Sequence, residues 1–414
     1  MKISLASGME RLGLDDGLGA WILPAACVIM LSVRVPLGWV LVLAVLSAGV
    51  TVLEESRNRH NPSMLDAALL MFYASCCVST VFAYDVSTAL IGLNLRTLCL
   101  LLYLASRGLW DSKPALSFAF CIGAALHCAE SIRNFARFYQ AWAALSFSHL
   151  VDFRSFVTLT AAGVRPGNHY ALYIIGLTLG IYRLQSKMIV SRIDAIICGV
   201  AIITCTVCVL LSFSRVLYVC TLAIFLICAW NPVNKLVTRW KIISVGFLTI
   251  VLVTAAVALW ANPVIKAIGE TVQFNNRVSQ QQSASGRLGI GRAAAHLAIH
   301  CGLVGKGIGN YALEVRHAGL TSPSLLTAHA FNVLVETTIE QGHLGLATLL
   351  FVLVALTKRI YRGFGASRDK ALLAGLVGLT VYGMNQSFVV ADQATAVSLA
   401  VFLSVASGNC DEYA

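Results

Sequence analysis

An apolar run of roughly 17–25 residues crosses a bilayer as a helix, because only an internally hydrogen-bonded segment can take its backbone out of water. This chain consists largely of such runs. They fall near 19–33, 36–53, 64–83, 86–106, 114–131, 168–185, 193–211, 214–230, 242–260, 331–357, 371–388 and 391–406. The expected fold is an all-α polytopic integral membrane protein of about 12 transmembrane helices. Arg34-Val35-Pro36 joins the first two so tightly that they read as a hairpin, and the short first run leaves eleven as the other count. Composition agrees: the chain is 58% hydrophobic and 12% charged, against about 45–50% and about 25% in soluble domains. Trp21 to Val33 has no basic segment directly before it and no small-residue cleavage site after it, so no cleavable signal peptide is expected.

Most of the 13 cysteines, among them Cys76, Cys121, Cys198, Cys205 and Cys208, lie within apolar runs and read as small hydrophobes rather than a disulfide framework. No CxxC pair with matching histidines occurs, so no metal site is expected. His296 and His300 stand i, i+4, but Leu297 replaces the glutamate of the zinc motif HExxH, and the pair reads as structural or interfacial.

Lysine and arginine in short loops set orientation. With a cytoplasmic N-terminus, one side receives seventeen of them, including Arg57, Arg59, Arg107, Arg183, Arg192, Lys358, Arg359 and Arg362, and the other only Arg34 and Arg215. Both termini are thus expected in the cytoplasm. Two long segments, 132–167 and 262–328, are expected outside. They divide the chain into an N-terminal bundle (1–261, carrying the external segment 132–167), a polar external loop (262–328) and C-terminal helices (329–414).

The external segments are basic. Arg133, Arg137, Arg154 and Arg165 lie in the first, and Lys266, Arg277, Arg287, Arg292, Lys306 and Arg316 in the second, with few acidic residues beside them. Two readings fit: attraction to anionic headgroups, or a bound phosphorylated ligand. In Ser131 to Trp142, aromatics alternate with Arg133 and Arg137, a pattern that suits a helix lying in the membrane interface.

Arg215 follows Ser212-Phe213-Ser214 at a turn between two runs, where an arginine faces a polar cavity or snorkels. Ser285 and Gly286 suggest a helix start with Arg287 in its first turn, where guanidinium and helix terminus would both favour phosphate. Gly305-Lys-Gly-Ile-Gly-Asn-Tyr matches neither a P-loop nor a dinucleotide fingerprint and reads as a turn needing small residues, with Lys306 near enough to bind phosphate. His329, Asn332 and Glu336, at i, i+3 and i+7, would share one helix face, with Glu340 continuing it. A histidine at the membrane surface suits general-base chemistry at neutral pH.

The order of these motifs resembles the O-antigen ligase and polymerase superfamily. It runs from Ser-Arg at Arg215 through Ser-Gly-Arg at Arg287 and the glycine-rich 305–311 to His-x-x-Asn at His329, and then to Glu336, Gly342 and Gly345. Arg165-Pro-Gly-Asn168-His-Tyr is similar to the family's Asn-bearing approach to a span, without the usual Asn-Pro-Asn, and Ala330 separates His329 from its asparagine. The resemblance implies a GT-C-like membrane enzyme of the bacterial inner membrane, with a large periplasmic loop of short helices between the ninth and tenth spans. It would transfer a glycan from undecaprenyl diphosphate to a sugar hydroxyl of lipid A–core, with inversion and without metal, nucleotide or other cofactor. Arg215 and Arg287 would hold the diphosphate, and His329 would orient or deprotonate the acceptor. Arg292, Lys306, Asn332, Arg165, Asn168 and Arg137 are the further candidate substrate-binding residues. Membrane lipids are expected partners and nucleic acid is not. A polymerase of the same superfamily is the nearest alternative. A lipid-linked glycan transporter or flippase is the alternative of another class, against which no internal repeat or paired broken helices occur.

Overall fold

A computed structural model of the chain describes residues 25–29, 31, 63–108, 113–144, 170–185, 192–229, 277–319, 330, 332–362, 367–385 and 392–407. The expected runs at 36–53 and 242–260 lie outside them. The helices are α1 (Met64–Val81), α2 (Val86–Gly108), α3 (Lys113–Ala143), α4 (Tyr170–Gln185), α5 (Arg192–Leu211), α6 (Arg215–Ala229), α7 (Arg277–His300), α8 (Tyr311–His317), α9 (Val333–Arg362), α10 (Ser367–Asn385) and α11 (Gln393–Ala406). No strand occurs among the described residues. Among the described residues, five segments, Met64–Val81, Val86–Ser106, Ala115–Ala143, Arg192–Leu211 and Val333–Arg362, are long and apolar enough to cross a membrane. Arg215–Cys228, Lys370–Met384 and Gln393–Ala406 are shorter apolar helices.

The helix α4 forms the centre. Residues 171 to 183 are all buried, as expected of a helix that is apolar on every side. It packs against α3, α5, α10 and α11. Gly176 and Gly180, one turn apart, let α5 approach closely: a Cβ on Gly176 would lie 2.6 Å from the Cys205 sulfur, and one on Gly180 2.8 Å from Ile202. Small residues four apart serve this purpose where no water drives helices together.

Side-chain contacts sort the helix ends into two groups. At one end Asp66 of α1 accepts from the Tyr103 hydroxyl at 2.7 Å, and Arg359 of α9 donates to the Ser407 carbonyl at 2.9 Å. There too Arg183 of α4 pairs with Asp194 of α5 and donates to Ser117 of α3 at 2.7 Å. At the other end, the Tyr170 ring of α4 packs at a tilt against Tyr382 of α10, and Phe135 of α3 meets Phe213 beyond α5. The α1–α2 turn at this end packs against the glycine-rich loop.

Three expectations need correction. The helix α3 runs unbroken to Ala143 over 31 residues, so residues 132–143 prolong a span instead of lying as a separate interfacial helix. Arg183, counted above among loop cations, is fully buried against Asp194. The run at 331–357 is two helical segments, because α9 bends at Gly342 (φ 73°, ψ −174°).

Candidate functional site

The bend in α9 leaves backbone groups without helical partners, and the glycine-rich loop supplies them. The carbonyl of Ile339 accepts from the Lys306 amide at 3.1 Å, and that of Glu340 from the Gly307 amide at 2.8 Å. Beyond the bend, the amides of His343 and Leu344 donate to the carbonyls of Gly302 and Leu303, at 3.2 and 3.1 Å. His343 Nδ1 also donates to Gly302, at 2.7 Å, and Ser79 Oγ donates to the Glu340 carbonyl. Each such group left unmet when buried costs about 1–3 kcal/mol. The loop therefore completes the broken helix, which bears out its reading as a turn that needs small residues.

The same loop is tied to the α1–α2 turn. Tyr84 N donates to the Lys306 carbonyl at 3.2 Å, and Asn310, itself fully buried, grips Asp85 from both sides. Its Oδ1 accepts from Asp85 N at 3.2 Å and its Nδ2 donates to the Asp85 carbonyl at 3.3 Å. The Asp85 carboxylate caps α2, accepting from Ser87 N at 3.0 Å and from the hydroxyls of Ser87 and Thr88 at 2.7 and 2.6 Å. The Thr88 hydroxyl, and then that of Ser87, hold its pKa down to about 2.

Lys306 extends its ammonium over the Tyr84 ring, 5.1 Å from the centroid. The Tyr84 hydroxyl, and then the charge of Glu314, hold it protonated above the usual lysine range. Arg292 is exposed one turn before His296, and His296 and His300 are exposed with rings 4.8 Å apart. Arg137 is exposed on the last turns of α3. Burial pushes the Tyr311 hydroxyl up to about 12, with the Glu336 charge adding to it. Burial likewise raises the Cys301 thiol, which donates to the Thr338 carbonyl at 2.9 Å.

Arg215 is the first residue of α6. The turn before it is tightly built: Ser212 Oγ donates to Val209 at 2.6 Å and accepts from Ser214 N at 3.2 Å, while Phe213 takes a left-handed φ of 50°. A bulky residue there is strained, and such strain persists only where the surroundings enforce it. The Tyr218 hydroxyl closes the turn onto the Leu210 carbonyl at 2.6 Å.

Asn332 stands just before α9 and outside its helical residues. It is the cap of α9: Oδ1 accepts from Leu334 N at 3.0 Å and Val335 N at 3.2 Å, and Nδ2 donates to the Met384 carbonyl at 3.3 Å. Glu336 turns back to accept from Ala330 N at 2.9 Å, holding the residue directly after His329. The signal for this was present, since asparagine ahead of an apolar helical run is a helix-start signature. Arg287 also departs from expectation. The helix α7 begins at Arg277, which puts Arg287 three turns in rather than at an N-terminus. His329, Arg165 and Asn168 lie outside the described residues, as does the side chain of Arg287.

The chain is thus a polytopic helical membrane protein in which a glycine-rich loop carrying Lys306 completes a broken helix at one end of the bundle. Residues 199–350, from α5 through the bend of α9, match the family described as O-Antigen ligase. This region contains Arg215, Arg287, Lys306, His329 and Asn332. No curated protein shows significant similarity to the chain.

Proposed function

We propose that the protein is an O-antigen ligase that transfers a glycan from undecaprenyl diphosphate to a sugar hydroxyl of lipid A–core at the periplasmic face. The family match over residues 199–350 carries this reading, because it spans the Ser-Arg turn, the Ser-Gly-Arg segment and the histidine motif in order. In the reaction, the acceptor oxygen attacks the anomeric carbon as its proton passes to His329. The bond from that carbon to the diphosphate oxygen breaks, and the electron pair leaves with the diphosphate. Arg215 and Arg287 neutralise the charge that develops on the leaving group. Fixed donors of this kind, aimed at developing charge, supply about 3–4 kcal/mol each in well-studied cases. Attack opposite the leaving group inverts the anomeric centre.

The geometry supports roles for the neighbours. Glu336 holds the Ala330 amide and Asn332 ties the start of α9 to Met384, so both act on the backbone next to His329 in sequence rather than on substrate. Lys306 offers a held cation at the same end.

The test is transfer in proteoliposomes given lipid-linked glycan and lipid A–core, with Arg215→Ala, Arg287→Ala and His329→Ala beside the unaltered protein. Capped lipid A–core that disappears in each variant supports the reading. Elongated lipid-linked glycan with no capped core reassigns the acceptor and makes the protein a polymerase. Full activity of Arg287→Ala or His329→Ala removes the mechanism, and glycan translocation without transfer favours the flippase.

A further inference from the structure

The helices α3 and α5 pack side by side and meet in rungs seven residues apart. Cys121 packs with Cys198, and the Cys128 and Cys205 sulfurs lie 3.6 Å apart, so the two helices run in the same direction. A seven-residue spacing keeps one seam of two helices in register over several turns. For the next rung, that spacing sets Phe135 of α3 opposite Ser212. The helix α5 has ended by then, at Leu211, and Ser212 turns its hydroxyl back onto the Val209 carbonyl. The Phe213 ring takes the place instead, 6.2 Å from the buried Phe135 ring between centroids and tilted by 46°.

Phe213 reaches that position with a strained backbone. At a φ of 50° it is the one residue other than glycine in the left-handed region among the described residues. Bulky side chains avoid that region, and a strained residue persists only where its surroundings over-determine it. Here the Phe135 ring does so from α3, and the Ser212 and Tyr218 hydroxyls do so from within the turn, the latter donating to the Leu210 carbonyl at 2.6 Å. The next residue, Ser214, caps α6, its hydroxyl accepting from Leu217 N at 3.5 Å. Arg215 is the first residue of that helix. One backbone angle at Phe213 therefore sets where α6 starts and how Arg215 leaves the turn.

We infer that Phe135 and Phe213 are positioning residues for Arg215: their ring pair holds the strained turn in the one conformation that aims the guanidinium at the leaving group. The inference rests on the reading of Arg215 as the group that holds the diphosphate, and it adds the part of the protein that directs it. A turn that only joined two helices would gain nothing from phenylalanine at this angle, because glycine adopts it without strain. Strain kept beside a functional arginine, and enforced from a neighbouring helix, fits a turn whose direction matters. Both rings act through Arg215 and neither by contact with substrate.

The test is transfer by the full chain in proteoliposomes, with kcat per folded molecule, KM for the lipid-linked donor and the melting temperature measured together. Phe213→Gly relieves the strain, so its melting temperature should be unchanged or higher. Its kcat should nevertheless fall about tenfold with KM nearly constant, as expected of a misdirected catalytic group. Phe135→Ala should lower kcat likewise, and Phe135→Leu, which keeps the bulk, should recover most of it. In Arg215→Lys, which lacks the guanidinium fork, Phe135→Ala should remove little more, because effects that pass through one group do not add. Unaltered kcat in Phe213→Gly and Phe135→Ala, with Arg215→Lys impaired, overturns this inference alone. So do losses that multiply in the double variant, or a rise in KM without a fall in kcat. Full transfer by both Arg215→Lys and Arg215→Ala instead removes the reading of Arg215 on which the inference rests.

Discussion

Gly305 packs its Cα directly onto the backbone of Gly342: a Cβ on Gly305 would lie 2.3 Å from the Gly342 amide nitrogen, and one on Gly342 2.1 Å from the Leu303 carbonyl oxygen. Both glycines have positive φ, 76° and 73°. The broken membrane helix and the loop that completes it are therefore one unit, and neither keeps its backbone bonds without the other.

Gly342→Ala attacks that unit at its tightest point. Its φ and ψ of 73° and −174° belong to a region reserved almost wholly for glycine. We expect a loss of at least about 3 kcal/mol, from backbone strain and displaced loop bonds. The melting temperature in detergent and proteolysis within 301–310 would report it. An unaltered melting temperature would mean that the loop does not brace the bend.

Asn332→Ala should weaken the start of α9 by about 0.5–2 kcal/mol, the usual value of a lost side-chain cap. Because its side chain is committed to Leu334, Val335 and Met384, the expected kinetic signature is a fall in kcat with KM nearly constant. Asn332→Asp keeps the capping oxygen and should recover most of the stability. A large rise in KM alone would instead place Asn332 against substrate.

The Arg183–Asp194 pair predicts a purely structural lesion. Both side chains are at most 5% exposed. Removing one leaves the other charge buried and alone, a loss of about 3–5 kcal/mol. Arg183→Met should lower the melting temperature sharply, and Arg183→Met with Asp194→Leu should recover much of it. Activity per folded molecule should not change in either.

Asp85 gives a pH signature. Its folded-state pKa of about 2 lies below the ordinary 3.8. The cap's contribution is therefore complete above the ordinary value and disappears as pH falls toward 2. Melting curves from pH 5 downward should show a loss across that window that Asp85→Asn lacks. Parallel curves for the two proteins would remove the carboxylate from the account.

Much of the helical layout was legible because bilayer crossing imposes length and hydropathy on each span separately, as at 64–83, 86–106 and 193–211. The turn before Arg215 was equally local. The partner of Gly342 was not, since its loop lies more than thirty residues upstream and the pairing is made by backbone groups that look alike in every sequence. Arg183 read as a loop cation because its partner Asp194 sits on the next helix. Arg287 was placed at a helix start by its Ser-Gly prelude, but the helix begins earlier, at Arg277.

By itself the sequence determined that this is a many-helix membrane protein whose basic motifs lie in a fixed order around a polar segment, because hydropathy and charge act residue by residue. The tertiary structure alone decided that α9 breaks at Gly342, that a distant loop repairs it, and that Phe213 meets Phe135 of α3. Those outcomes depend on which unsatisfied backbone groups and which side chains meet in space, and only the packing of the helices brings them together.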